Sequence, residues 1–286
     1  MSDTIENSLN LLLDTAKKLG AESAAVMGGE NTSINVAARL GKLENIERNE
    51  SKSIGLQIID NKRKVNLSST NFNKDALIEL VESAMSMIKS IPEDEFCGLA
   101  DKEMLYRGNL DLDLVDNYIP ENDLLLESSI EAEDSALSIN GVTNSEGASS
   151  SYSKNKIFLA TSDGFYNYKE KTNYSSSISV IAGKGTKMER DYEYQSKIHN
   201  KDLDAPKTIG EIAANRAVSR LNPKKVKSNS VPIIFDPRVS GSLLSLFTGG
   251  ISGQAVARGT SFLKDKMEKN IFKKDIQIID DPHVLR

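Results

Sequence analysis

The sequence predicts an α+β protein in which helices flank antiparallel strands, and three patterns carry that expectation. Apolar residues recur every three or four positions in 5–19 and again in 76–88, the period of a helix with one packed face. Between them, 22–69 breaks into short strand-like runs parted by turn residues. From 142 to 198 the chain becomes β-rich, with serine alternating against isoleucine and valine as on a strand with one face on a core. Helix, strands and helix make an amino-terminal α+β domain over 1–101; a linker and helix over 102–140 follow, then a β-rich central domain over 141–286.

Each element has its own signals. In 5–19, Ile5, Leu9, Leu12, Leu13, Ala16 and Leu19 form the packing face, and Gly20 closes the helix. Strands are expected at 22–27, 33–40, 53–59 and 64–69, with Gly28-Gly29 and Gly41-Lys42 as turns. Asn73 is placed to cap a helix carrying Leu77, Leu80, Val81 and Ala84. Asp111, Asp113 and Asp116 follow in an acidic linker that lacks the glycine and closing glutamate of a calcium loop, so it reads as a solvated turn. A third helix covers 121–139, with Glu127, Glu131 and Asp134 along a wet face. Strands then follow at 145–153, 157–161, 172–182 and 188–198, with Asp163-Gly164 and Gly183-Lys184-Gly185 as turns. A fourth helix runs over 206–221.

The stretch 231–263 is where chemistry is expected. Val231, Ile233, Ile234 and Phe235 read as an inner strand, Asp236 as a helix cap and Pro237 as the first helical residue. Val239, Leu243, Leu244, Leu246 and Phe247 supply a packing face, and Gly249-Gly250 ends the helix, leaving backbone open to a ligand or peptide. Beyond it, Arg258 reads equally as a clamp for a carbonyl or carboxylate and as an arginine tying down its own loop. Tyr192, in the run Glu189-Arg190-Asp191-Tyr192, can line a groove that meets a peptide backbone, or can be a half-buried ring at a strand edge.

Composition narrows the function classes. No apolar run approaches the length of a membrane span, and the amino terminus lacks the basic start and apolar core of a secretory signal, so a cytoplasmic protein without a membrane partner is expected. The single Cys97 excludes a multi-cysteine metal site, and the acidic residues before it disfavour a reactive thiolate. A formal net charge of −5 argues against nucleic acid as the main partner; the lysines and arginines near 216–227 and 264–274 read as a basic helix end and a solvated face. His199 and His283 stand far apart in sequence, and Gln254 occupies the position where a serine-hydrolase elbow around Ser252 needs glycine. Thiol and serine routes to hydrolysis are therefore weak.

Several segments together resemble the TldD/PmbA family in its TldE (PmbA) branch: RLGKLENIERNESKSIGLQI at 39–58, NGVTNSEGAS at 140–149, TSDGF at 161–165, MERDYEY at 188–194, VARGTSFLKDK at 256–266 and IIDDPH at 278–283. The resemblance covers nearly the whole chain. In the TldD branch a His-Glu-x-x-x-His motif binds zinc and supplies a glutamate for peptide hydrolysis. Here Ser245 stands at the first histidine, Leu246 at the glutamate and Gly250 at the second histidine. An alcohol, an alkyl group and a hydrogen offer neither the ligands nor the base of a catalytic zinc.

What the resemblance implies is a subunit without catalytic residues or a metal of its own, paired with a TldD-type subunit that carries the zinc. Such a pair encloses a chamber and degrades unfolded peptides, matures peptide antibiotics or destroys an antitoxin. Gly249, Gly250, Arg258 and Tyr192 are then the candidates for peptide or partner contact. The family also continues into a further β-rich portion past the Asp-Asp-Pro-His segment, so the fold is expected to be incomplete at the carboxyl end. Two alternatives are a regulatory binding protein of the DNA gyrase modulator type and a non-assembling remnant.

Overall fold

The computed structural model describes residues 2–285, Arg107 and Asn109 excepted. Contacts divide the chain into a first unit through Pro223 and a second unit, Lys224–Val284.

The first unit contains α1 (Ser2–Lys18), β1 (Ser23–Arg39), β2 (Lys42–Asp60), β3 (Arg63–Ser69), α2 (Lys74–Met87), α3 (Asn122–Leu137), β4 (Val142–Thr161), β5 (Tyr166–Ala182), β6 (Glu189–Lys197) and α4 (Pro206–Ser219). The strands form one sheet in the order β3-β2-β1-β4-β5-β6, antiparallel throughout. The α+β class is as expected. The sheet, however, joins strands that the sequence reading divides between the 1–101 and 141–286 segments, because β1 pairs with β4 along Ala25–Ala38.

Two large cores, with a smaller cluster of Ile34, Val36 and Leu125, lie on one face of this sheet. Ile5, Leu9 and Leu12 of α1 and Leu77 and Val81 of α2 close over Val26, Ile54, Leu56 and Ile58. Ala132 and Ala136 of α3 and Ile209 and Ala213 of α4 close over Ala148, Ile178 and Val180. Small residues let the second pair of helices approach closely: a Cβ at Gly210 would lie 2.1 Å from the Ala132 carbonyl oxygen. Among the described residues of this unit no helix covers the opposite face of the sheet, and β4 and β5 present serine there, paired Ser149 to Ser177 and Ser151 to Ser175.

Several elements differ from expectation for identifiable reasons. Gly28-Gly29 is not a turn; it lies inside β1, so the expected strands 22–27 and 33–40 are one strand. A Cβ at Gly28 would come within 2.6 Å of the Ile5 Cγ2, so glycine here lets α1 sit against the strand. The expected strands 145–153 and 157–161 likewise merge into β4, whose register slips near Val142 and Ser145. Leu40 (φ 52°) and Gly41 (φ 70°) form the two-residue hairpin turn, both left-handed as a primed turn requires. Asn73 occupies the N-cap of α2, but its side chain makes no cap bond. The Asp116 carboxylate is not in a solvated turn: it accepts the backbone N–H of Tyr118 (3.0 Å) and of Asn200 (2.9 Å), tying the linker to the end of β6.

The second unit holds α5 (Pro237–Gly250) and α6 (Gly253–Ala257). The start of α5 is as the sequence predicts, with Pro237 in the first turn and the Asp236 carboxylate accepting the Arg238 N–H at 2.9 Å. The expected inner strand at 231–235 is not a strand, and Ile234 is 96% exposed. A strand exists only through a neighbour that takes its hydrogen bonds, and among the described residues none pairs with this run. The expected packing face of α5 is also open, with Leu243, Leu244 and Leu246 exposed. Phe247 alone finds an aromatic partner, Phe272, with ring centroids 5.2 Å apart.

Candidate functional site

The positions singled out at the end of α5 form a local constellation within the second unit. Ser245 spends its hydroxyl on its own helix, donating to the Gly241 carbonyl at 3.0 Å. Leu246, one residue on, is 61% exposed. Gly250 is the buried member: its carbonyl accepts the Ser261 hydroxyl at 2.5 Å, and a Cβ on it would lie 3.0 Å from the Phe262 ring and 3.1 Å from Leu263. Gly249 is open, with nothing near its missing side chain. Arg258 is exposed at the C-cap of α6, and its guanidinium reaches Gln254 of the same helix at 3.4 Å.

These residues do not fit a zinc ion. A catalytic zinc takes three protein ligands bearing nitrogen, sulfur or carboxylate oxygen. Ser245, Leu246 and Gly250 bring none, and a side chain at 250 would press on Phe262 and Leu263. Among the described residues no group of three or more histidine, cysteine, aspartate or glutamate side chains is placed to hold a metal.

Tyr192 belongs to the first unit, on the helix-free face of the sheet. It stands 52% exposed in β6, opposite Ser179 of β5. There it lines a groove of about 550 Å³ with Glu146, Ser149, Ser177, Arg190 and Tyr194. Glu146 organises one end, accepting from the Ser179 hydroxyl at 2.7 Å and pairing with Arg190 at 3.1 Å. The serines bond to one another across the strands, Ser149 to Ser177 at 2.9 Å and Ser151 to Ser175 at 2.6 Å. Short hydroxyls flanked by two phenol rings can hydrogen-bond an extended polar chain. The groove is lined by no histidine, and its Glu146 carboxylate is shared between the Ser179 hydroxyl and Arg190.

The sequence reading missed this serine lattice as a site. The signal was present as alternating serine in 149–153 and 175–179, but only pairing across strands turns two alternations into one surface. A second unforeseen cluster joins the linker to the sheet. His199 is buried, with Nε2 3.0 Å from the Asp113 carbonyl oxygen and Nδ1 4.0 Å from the Asp116 carboxylate. Burial pushes the Asp116 carboxyl up, but the N–H groups of Tyr118 and Asn200, the facing His199 and the Tyr174 hydroxyl outweigh that and hold it below the usual carboxylate value. Tyr174 is displaced upward, by burial first and by the Asp116 charge second.

Three models of one family match in series: PmbA/TldA metallopeptidase domain 1 over residues 24–88, the central domain over 119–221 and the C-terminal domain over 228–286. The chain is 34% identical over 281 residues to Metalloprotease PmbA of Escherichia coli O157:H7, covering 98% of this chain and 62% of that protein. It is 32% identical over 284 residues to the Metalloprotease PmbA homolog of Haemophilus influenzae, covering 99% and 62%. The chain thus spans about 62% of the length of these curated relatives.

Solved structures share the fold. A Bacteroides thetaiotaomicron protein described as a modulator of DNA gyrase superposes with a TM-score of 0.86 at 24% identity, covering 93% of this chain and 61% of that one. TldE from Thermococcus kodakarensis superposes with a TM-score of 0.72 at 18% identity, covering 91% and 57%. With three consecutive domain matches and this identity to bacterial PmbA proteins, the chain belongs to the PmbA/TldD metallopeptidase family, on its TldE (PmbA) side.

Proposed function

We propose that this chain is the non-catalytic subunit of a TldD/TldE-type zinc protease. It works in the cytoplasm beside a TldD-type subunit that carries the zinc, in the proteolysis of unfolded peptides and the maturation of peptide antibiotics. One observation carries the reading. At the place of the His-Glu-x-x-x-His motif the chain has Ser245, Leu246 and Gly250, none of which carries a zinc ligand or a base, and Gly250 is packed closely against Phe262 and Leu263. The name Metalloprotease PmbA borne by the relatives supports the protease context. Gly249, Gly250, Arg258 and Tyr192 then serve as wall and contact residues for peptide or partner, with hydrolysis at the partner's metal. The net charge of −5 suits this role better than nucleic-acid binding.

The test is co-expression with a TldD-type protein and an unfolded peptide. Cleavage is expected with both chains present and is expected to fall sharply when this one is left out. Undiminished cleavage without it overturns the proposal.

A further inference from the structure

We propose that the free edge of β2 pairs with the same edge of a second copy of this chain, residues 45–53 running antiparallel about a two-fold axis at Asn49. β3 covers β2 only from Ile54 to Asp60, so residues 42–53 have β1 on one side and, among the described residues, no strand on the other. Residues 42–51 are all exposed. A free edge of this length is a template for another strand unless charge or a bulge blocks it.

The order of charges and the length of open edge together select the occupant and the register: an axis at Ser51 would also oppose Glu50 to Lys52, but it leaves only 49–53 to pair because β3 takes the edge from Ile54. A two-fold axis between antiparallel strands places residues of the same sheet face opposite one another. An axis at Glu47, Arg48 or Glu50 therefore sets that charge against its own copy, which is repulsive. An axis at Asn49 sets Arg48 opposite Glu50 of the second copy on both sides of the axis, Glu47 opposite Ser51, and Ile46 against the aliphatic stem of Lys52. Within one copy Arg48 already holds Glu50 at 2.7 Å, so each guanidinium would lie between two carboxylates. An axis at Ile46 would oppose Arg48 to Glu44. There the β1–β2 register slips between Ala37 and Ala38, and the Glu44 carboxylate turns over the strands toward Gly147. The regular part of the edge, 45–53, is thus self-complementary in charge about Asn49. This inference does not depend on the protease reading.

The test is sedimentation of the full 286-residue chain over roughly 1–100 µM, the range suited to a contact smaller than a standard interface. The wild-type chain is expected to dimerise. Arg48→Glu and Glu50→Arg alone each weaken the dimer at least about tenfold, since each opposes like charges. The double variant R48E/E50R, and an equimolar mixture of the two single variants, recover it. Unchanged thermal melts show that the singles still fold. A chain that stays monomeric, a dimer indifferent to Arg48→Glu, or rescue by E44R/R48E in place of R48E/E50R overturns the proposal.

Discussion

Gly28 of β1 lies directly beneath Ile5 of α1, with no space for even a methyl group between strand and helix. The contact fixes how α1 seats on the sheet, and it explains why a glycine stands at position 28 inside a seventeen-residue strand. Gly28→Ala is expected to destabilise the first unit by about 1–3 kcal/mol, the usual range for overpacking. Gly29→Ala, whose Cβ would meet only the Ser53 hydroxyl at 3.4 Å, is expected to cost clearly less. Comparing their urea midpoints checks this; equal losses would place the helix differently.

Gly210 of α4 makes the matching contact on the other core, against the Ala132 carbonyl and the Ser135 hydroxyl. Backbone cannot yield as a side-chain tip can, so Gly210→Ala is expected to cost at least as much as Gly28→Ala, about 2–3 kcal/mol. Thermal melts of the two variants side by side measure the difference.

The linker clamp at Asp116 makes stability depend on acid. The carboxyl is held low in the folded chain despite burial, so its contribution is fully present above the unfolded value near 3.9 and is lost as pH falls through the lower folded value. Asp116→Ala is expected to cost about 1–3 kcal/mol at neutral pH, because the Tyr118 and Asn200 N–H groups lose their acceptor. The variant should also lose stability less steeply than wild type below about pH 4. Denaturant midpoints between neutral pH and acid, taken for both proteins, test the sign.

At the alkaline end the sign is reversed. Tyr166 donates to Glu6 at 2.6 Å, and burial followed by that carboxylate raises its pKa to about 12. The stabilisation is present below the unfolded value near 10 and disappears as pH rises through about 12. Tyr166→Phe should remove a late-titrating phenol from the ultraviolet titration while costing roughly 0.5–1 kcal/mol at neutral pH, as for an exposed hydrogen bond. An unchanged late phase in the variant would contradict the assignment.

Much of this fold could be read from the sequence, and the misses share a cause. Helices declare themselves locally: Leu77, Val81 and Ala84, or Asp236 followed by Pro237, fix a packed face or a first turn within a few residues. Strands depend on neighbours that sequence does not name. Gly28-Gly29 looks like a turn until α1 is packed on it, and the apolar run at 231–235 looks like an inner strand although no described residue pairs with it. The replaced residues of the candidate site, Ser245, Leu246 and Gly250, were legible only through the resemblance to the TldD/PmbA family, whose motif lies on one stretch of helix and can be laid on the sequence position by position. The serine face around Tyr192 was not, because it arises only when β4, β5 and β6 are set in register.

The most direct test of the account is the zinc content of the purified 286-residue chain after equilibration with the metal and removal of loosely bound ions. Because Ser245, Leu246 and Gly250 offer no ligand, the account predicts zinc well below one ion per chain. One tightly held zinc per chain, with chelation abolishing a peptide cleavage by this chain alone, would contradict it.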